Sequence, residues 1–167
     1  SAIRTNQDLR PETPLRNLLS NDFWGRPLAA VHSVKSYRPL TVLTFRANFI
    51  QHGLSVEGFH IVNVALHAAC TALVGISSIA LFARGDAVAA SVASLAFAVH
   101  PVHAEAVASI VGRAELLCCA CFLLCLLLHR FACRPGRGVL SSSASLFGAG
   151  ILAVAATASK ETGSTAP

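Results

Sequence analysis

The sequence predicts an all-α membrane protein in which several helices cross the bilayer. Hydrophobic residues make up 54% of the chain and charged residues 13%, about half the charged share of an ordinary soluble domain. Three apolar segments, at about 59–83, 114–133 and 139–159, are long enough to span a bilayer as helices. A fourth apolar segment, 87–99, is followed directly by the ionisable cluster His100–Glu105, and such residues beside a membrane usually mark function.

Residues 1–57, which come before the first span, are polar and irregular. Thr13 and Pro14 predict a short helix that ends near Ser20, with Thr13 as its N-cap and Pro14 in its first position. Pro39 predicts the start of a second, amphipathic helix. That helix is suited either to lie along a membrane surface or to pack against protein, and the pattern does not choose between them.

The segment 87–99 is too short for a complete span, since 13 helical residues cover about 20 Å of a core that is about 30 Å thick. It therefore either begins deep in the bilayer or delivers His100 into a cavity below the membrane surface. A helix is predicted to follow over 101–112. Its polar or small stripe consists of Glu105, Ser109 and Gly112. A helix cap with exposed His and Glu side chains is the alternative interpretation.

The connection 129–138 predicts the orientation of the spans. It contains three Arg and no acid, and the positive-inside rule places such a short connection in the cytosol. Arg84–Asp86 is then a tight cytosolic turn. By alternation, residues 1–57, His100–Arg113 and Lys160–Glu161 all face the lumen or the exterior. The sequence thus predicts that three polar segments meet on one side of the membrane.

The basic residues that give the net charge of +5 are scattered along the chain. Scattered cations beside apolar stretches are typical of membrane topology, so membrane lipid is the expected partner and nucleic acid is not. The six Cys lie mostly inside apolar runs and are expected to pack as small hydrophobic residues, without a disulfide framework. Because the chain contains no Met, we expect it to be an internal fragment of a longer protein.

Four histidines suggest a different class of function. His60 and His67 lie two helical turns apart on one face of the first span, and with His100 and His103 they are candidates for binding a metal. Hydrogen bonds between helices are the favoured interpretation, because no Cys or carboxylate completes a compact ligand spacing. We therefore predict no metal site, while a transporter or metal-handling membrane protein remains the alternative to an enzyme.

Two polar clusters of the first 57 residues are candidate binding groups. The string Asn21–Gly25 combines the acid Asp22 with Trp24, the only Trp of the chain. This pair suits either a sugar platform with a carboxylate beside it or an interfacial anchor with a turn. Arg38 and Arg46 are interleaved with the apolar residues of the amphipathic stretch and suit a lipid phosphate, which Arg binds with two parallel hydrogen bonds. The alternative for this arginine pair is a solvated helix face.

Several strings of residues, in order and spacing, resemble one known family. They are Asp8–Leu15, Asn21–Leu28, Lys35–Asn48, Gly58–His67, His100–Val107, Gly112–Leu116 and Ser159–Glu161. The match is to the amino-terminal region of the transmembrane and tetratricopeptide-repeat O-mannosyltransferases, the TMTC family, and it covers nearly the whole chain.

This resemblance implies a GT-C-like helical bundle in the endoplasmic reticulum membrane. It implies that mannose passes from dolichyl-phosphate-mannose to Ser or Thr hydroxyls of luminal proteins such as cadherin domains, with no further cofactor. It also implies tetratricopeptide repeats, which this chain lacks, and a catalytic acidic pair just before Ser1. On this reading the chain alone is inactive and forms the back wall of the site. A non-catalytic membrane scaffold is a third possibility.

The same resemblance assigns expected roles to residues of this chain. An attacking hydroxyl needs a carboxylate base, and the departing dolichyl phosphate needs cations. The supporting acids are then Asp22 and Glu105. The candidates for binding the donor phosphate are Arg38, Arg46, Arg113 and Lys160. The residues expected to orient the substrates are His100, His103, Trp24 and Glu161.

Overall fold

The computed structural model describes residues 2–81, 86–136 and 138–166, which form helices and loops without a β-strand. Within these residues the α-helices are α1 (Pro39–His52), α2 (Val56–Leu81), α3 (Ala87–Val99), α4 (Val102–Ala108), α5 (Arg113–Ala132) and α6 (Val139–Ser159). Short 3-10 helices occupy Gln7–Leu9, Leu15–Leu19, Ile110–Gly112 and Glu161–Thr165.

Among the described residues, three helical segments are long and apolar enough to cross a membrane: α2, Ile110–Ala132 and α6. Helices α3 and α4 together pass the same test but are bent by 61°, so they form either a broken fourth span or a re-entrant pair. The predicted fold class, an all-α bundle of membrane helices, is confirmed.

The spans pack through small and sulfur-containing residues. Helices α2 and α5 run parallel, and the Cys70 thiol of α2 donates to the Leu116 carbonyl of α5 at 3.4 Å. Helix α6 runs antiparallel to α5, and the Cys125 thiol donates to the Ala149 carbonyl at 3.3 Å. All six cysteines are free thiols. Small residues let helix backbones approach closely where lipid supplies no hydrophobic drive for association.

Most predicted helix bounds agree with the structure. The second and third long spans begin and end within one residue of 114–133 and 139–159, because apolar length alone defines them. The first span starts three residues earlier than predicted, at Val56. Its predicted last residues, and Arg84 and Gly85 of the predicted cytosolic turn, lie outside the described residues.

The predicted cap of the first short helix is wrong. The helix is the 3-10 segment Leu15–Leu19, and Pro14 is its N-cap residue. The Thr13 hydroxyl donates instead to the Gln7 carbonyl at 2.7 Å, which turns it back toward the preceding loop. A tertiary hydrogen bond thus replaces the local cap, and a helix of five residues offers little to oppose it.

The helix predicted over 101–112 is interrupted at Ser109, which has an extended backbone with φ −80° and ψ 127°. The Ser109 carbonyl accepts a 3.0 Å hydrogen bond from the Asn63 side chain of α2. It also accepts one at 3.0 Å from the Gly112 backbone N–H of the 3-10 turn that follows. Gly112 then lies directly against the backbone of Ala106, where a side chain would not fit. Glu105, Ser109 and Gly112 are therefore not one stripe of a continuous helix.

Helix α1 packs against protein, as one of the two alternatives for this stretch predicts. Phe45 of α1 is fully buried between Phe23 of the first loop and Phe59 of α2, with ring centroids 6.0 Å from each. The same core includes Leu9. Residues 2–55 thus fold onto one end of the spans around an aromatic core, with α1 as the contact element.

Arg113, the first residue of α5, joins three helices. Its guanidinium is fully buried and donates to Asn63 of α2 at 3.0 Å and to Asn48 of α1 at 2.7 Å. It also donates to the backbone carbonyls of Phe59 at 3.0 Å and Thr44 at 3.3 Å. Its guanidinium carbon lies over the rings of Phe45 and Phe59, 4.9 Å and 5.3 Å from their centroids. Each hydrogen bond to a charged donor contributes more than a neutral one.

Replacing Arg113 with Ala or Lys is expected to destabilise the protein strongly. Either change leaves buried acceptors of α1 and α2 without donors, because Lys cannot reproduce the forked geometry of Arg. We expect a loss of about 4 kcal/mol for Ala, equivalent to about 10 °C in Tm. The Tm for thermal unfolding in detergent measures this loss, and Arg16→Ala, at an exposed arginine, is the control. An Arg113→Lys protein as stable as wild type would contradict the proposed role of the hydrogen bonds.

Candidate functional site

The three polar segments predicted to share one side of the membrane meet at one end of the helix bundle. Ser36 donates to the Glu161 carboxylate at 2.8 Å. The Thr41 hydroxyl of α1 donates to the Ser159 carbonyl at the end of α6, also at 2.8 Å. Asn63 joins this end to Ser109, between α4 and α5. Their assembly is the arrangement that the charge pattern predicted, while the membrane side itself stays a prediction.

A cavity of about 400 Å³ opens at this polar end, between the first loop and the α4–α5 connection. Its polar lining residues include Ser36 and Arg38 from the first loop, and Glu105 and Glu115 from α4 and α5. Trp24, which is 38% exposed, adds an aromatic face. Ser109 and Gly112 also line it. The three residues of the predicted polar stripe therefore line one cavity, although the helix that carries them is interrupted at Ser109.

Arg38 forms an ion pair with Glu161 across the edge of this cavity. Its Nε and Nη2 atoms donate to the Glu161 carboxylate, with the closest contact at 2.9 Å. Burial opposes ionisation of Glu161, but hydrogen bonds from Arg38, from Ser36 and from the backbone outweigh it and hold the pKa below its usual value. The pair therefore stays charged at neutral pH.

A second ion pair closes the neighbouring edge. The Lys160 ammonium lies 2.8 Å from the Glu115 carboxylate, linking the end of α6 to the first turn of α5. The Glu115 side chain is more exposed than that of Lys160. Surface ion pairs of this kind contribute about 0–1 kcal/mol to stability, so both partners can exchange with other charged groups at little cost.

Asp22 organises the loop that presents Trp24. Its buried carboxylate accepts hydrogen bonds from the backbone N–H groups of Trp24 and Arg26, both at 2.9 Å, and from the Ser33 hydroxyl at 2.7 Å. Burial alone would raise its pKa, but these hydrogen bonds hold the pKa below its usual value. Gly25, with φ of 79°, completes the turn. Asp22 does not line the cavity and positions Trp24 from beneath.

Two of the predicted phosphate ligands lie inside the protein. Arg46 of α1 is buried and donates to the carbonyls of Asp8 at 3.1 Å and Pro11 at 2.9 Å, which anchors the first loop. Arg113 is enclosed by the hydrogen bonds described above. Neither guanidinium lines the cavity, so both hold the wall of the site together. Arg38 and Lys160 are the predicted cations that the structure brings to its edge.

The histidines form a separate aromatic group beside the site. The His103 ring lies 5.5 Å from that of His67, 5.9 Å from that of His100 and 4.1 Å from that of Phe97. None of them lines the cavity. His60 lies on α2, half-buried. The described residues contain no group of three His, Cys, Asp or Glu side chains placed to hold a metal ion, so the metal-handling alternative has no ligand set there.

Sequence reasoning missed Glu115 and Ser36 as members of the site. Glu115 was within reach of prediction, because an acid in the first turn of an apolar span needs a cation or a polar cavity near it. Lys160 was the complementary charge on the same predicted side. The sequence around Ser36 does not predict its place in the site, because its hydrogen bond depends on Glu161, which is 125 residues away in sequence.

The arrangement can bind an anion and support proton transfer. Arg38 lines the cavity and Lys160 pairs with its lining residue Glu115, while the side chain of Glu105 lines the cavity without a hydrogen-bond partner among the described residues. A carboxylate in this position can accept a proton from a bound hydroxyl. Trp24 adds an apolar face suited to packing against the C–H face of a sugar ring.

Comparison with known proteins finds relatives that are named protein O-mannosyl-transferases. The chain is 50% identical to Tmtc3 of Drosophila melanogaster, over 74% of this chain and 15% of that protein. It is 42% identical to TMTC3 of Homo sapiens, over 99% of this chain and 18% of that protein. It is 46% identical to TMTC2 of Homo sapiens, over 98% of this chain and 19% of that protein. The chain spans less than a fifth of these curated relatives. No family model and no solved structure matches it.

The helices and their charged end define a multi-pass membrane protein with a polar cavity at one end of its bundle. The relatives share 42–50% identity with it over most of the chain. The chain belongs to the TMTC family. The resemblance carried by the sequence strings is therefore confirmed.

Replacing Asp22 with Asn is expected to destabilise the first loop in a pH-dependent way. The carboxylate has a lowered pKa in the folded protein, so its stabilising effect is present above about pH 4, the ordinary pKa of Asp. This effect is lost as pH falls through the folded-state pKa. We expect the free energy of unfolding of wild type to exceed that of the variant by about 2 kcal/mol at neutral pH.

The measurement is Tm in detergent for both proteins between neutral and strongly acid pH. The gap between them should shrink as the carboxylate of wild type is protonated. Glu12→Gln, at an exposed acid of the same loop, is the matched control. A gap of constant size at every pH would show that the charge of Asp22 does not stabilise the loop.

Proposed function

We propose that this chain forms part of the donor site of a protein O-mannosyltransferase of the endoplasmic reticulum membrane. The donor is dolichyl-phosphate-mannose, and the acceptors are Ser or Thr hydroxyls of luminal proteins such as cadherin domains. The names of the relatives support the transferase activity. The cavity that combines Trp24, Arg38 and Glu105 is the observation that carries the proposal, because it joins an aromatic face, a cation and a carboxylate.

In this proposal Arg38 and Lys160 bind the donor phosphate. The phosphate gains negative charge when its bond to the sugar breaks, so cations at this point stabilise the transition state more than the bound donor. Each cation already has a carboxylate partner, Glu161 or Glu115. The phosphate shares or displaces these weak surface partners.

An apolar groove next to the Arg38–Glu161 pair suits the isoprenoid chain. The groove has a volume of about 540 Å³ and runs along α6, where Ala153, Val154 and Ala158 line it. Tyr37 and Glu161 line its polar end. Glu161 thus belongs to the groove, while its partner Arg38 belongs to the cavity. A lipid-linked phosphate lying at this ion pair has its chain in the groove and its sugar in the cavity.

The chemistry requires one proton acceptor. The acceptor oxygen forms a bond to the anomeric carbon as the bond from that carbon to the phosphate oxygen breaks, and the hydroxyl proton passes to a carboxylate. Glu105 supports this step from the cavity wall. The acidic pair that the resemblance places before Ser1 supplies the main base. Trp24 orients the sugar, and His100 and His103 hold α4 against α2 and α3 from outside the cavity.

The test uses human TMTC3 in which this chain replaces the matching segment, and it measures mannose transfer from dolichyl-phosphate-mannose to a cadherin domain. Arg38→Ala is expected to lower kcat/KM by about 100-fold, the usual effect of removing one group that stabilises transition-state charge. Arg38→Lys should retain part of the activity, since it keeps the charge. Glu105→Gln should lower kcat by about tenfold.

Arg16→Ala is the matched control, because Arg16 is exposed on the same loop and does not line the cavity. If Arg38→Ala and Glu105→Gln both transfer mannose at the unsubstituted rate, the site assignment fails. If the exchanged protein folds but transfers no mannose, the chain does not support the transferase function. It would then act as a membrane scaffold.

A further inference from the structure

The end of the bundle opposite the cavity carries an apolar groove between α2 and α5. Its volume is about 590 Å³. Its apolar walls are Ile76, Ile79 and Ala80 of α2, and Leu127, Leu128 and Phe131 of α5. Ile76 is 52% exposed and Ile79 49%, so no described helix covers this side. The groove follows two parallel helices, which gives it the direction of a lipid acyl chain.

Two arginines lie at the polar end of this groove. Arg130 belongs to the last turn of α5, and Arg134 comes two residues after its end. Both side chains are exposed, and neither has a hydrogen bond or ion pair with the described part of the chain. They differ in this from Arg38, which has a carboxylate partner, and from Arg113, which is enclosed by acceptors.

Among the residues that the structure describes, no acid near this end neutralises the pair. Asp86 begins α3 at the same end, but its carboxylate accepts hydrogen bonds from the backbone of Val88 and Ala89 and caps that helix. His129 lies 3.8 Å from the Cys133 thiol and adds no negative charge. The positive-inside rule explains an excess of Arg in a short cytosolic connection. It does not require that two of them line the mouth of an apolar groove.

The combination selects one kind of occupant. An apolar groove that opens on uncompensated guanidinium groups complements a molecule with an acyl chain and an anionic phosphate headgroup. Arg binds phosphate through paired donors, and basic pockets between membrane helices at the cytoplasmic surface bind anionic lipid headgroups. We propose that this groove binds an anionic phospholipid, with an acyl chain along α2 and α5 and the headgroup on Arg130 and Arg134.

The test uses the human TMTC3 exchange protein in nanodiscs of phosphatidylcholine that contain photoactivatable phosphatidylinositol. Mass spectrometry measures the lipid attached to α2 and α5. Arg130→Gln with Arg134→Gln is expected to lower labelling by phosphatidylinositol about 25-fold, since each cation near the membrane surface contributes about fivefold. Ile79→Trp, which fills the groove and keeps both charges, should also lower it. Photoactivatable phosphatidylcholine is expected to label the groove weakly in every protein.

Arg16→Gln with Arg26→Gln, at two exposed cations of the first loop, is the matched control and should leave labelling unchanged. Gel filtration and Tm establish that every variant is folded. Equal labelling of wild type and the Arg130, Arg134 double variant overturns the proposal. So does equal labelling by phosphatidylcholine, which would make the groove a neutral lipid site. Absence of label on α2 and α5 means that another protein segment fills the groove and also overturns it.

Discussion

A buried positive charge, which has no carboxylate partner among the described residues, determines how this protein is assembled. The guanidinium of Arg113 lies at the junction of α1, α2 and α5, where burial of an unsatisfied charge would cost several kcal/mol. The fold meets this cost with side-chain oxygens of Asn48 and Asn63 and with two carbonyls. Two of those acceptors, the Asn48 side chain and the Thr44 carbonyl, are available only when α1 docks on the spans. The position of the first loop, and so of Trp24 and Arg38, therefore depends on this one group.

The edges of the cavity follow a different rule. Its ion pairs, Arg38–Glu161 and Lys160–Glu115, are partly exposed and bring distant segments together without contributing much stability. Strong interactions hold the wall and weak ones line the opening. A charged ligand can therefore compete for the edge groups without disturbing the assembly behind them. This division separates Arg38 and Lys160 from Arg46 and Arg113, although all four are cations on the same predicted side of the membrane.

The spans were predictable because apolar length is a property of the sequence alone, and two of them begin and end within a residue of the prediction. The meeting of the polar segments was also predictable, from the charge of one connection. The roles of individual arginines were not predictable, since the fold determines which guanidinium groups are buried against acceptors and which stay at the surface. The break at Ser109 was missed for the same reason: the Asn63 side chain that stabilises it comes from another helix. Asp22 was predicted to be a supporting catalytic acid because the sequence does not show that backbone N–H groups occupy its carboxylate.

Gly112 shows how a residue with no chemistry of its own can control a site. The glycine lies against the backbone of Ala106, so even the methyl group of alanine would force α4 away from α5. Glu105 sits on α4 and lines the cavity, while Glu115 lines it from α5. A missense change at this glycine would therefore alter the spacing between the two carboxylates. Under the proposed function it would resemble an active-site mutation in a genetic survey, although no atom of residue 112 takes part in the proposed reaction.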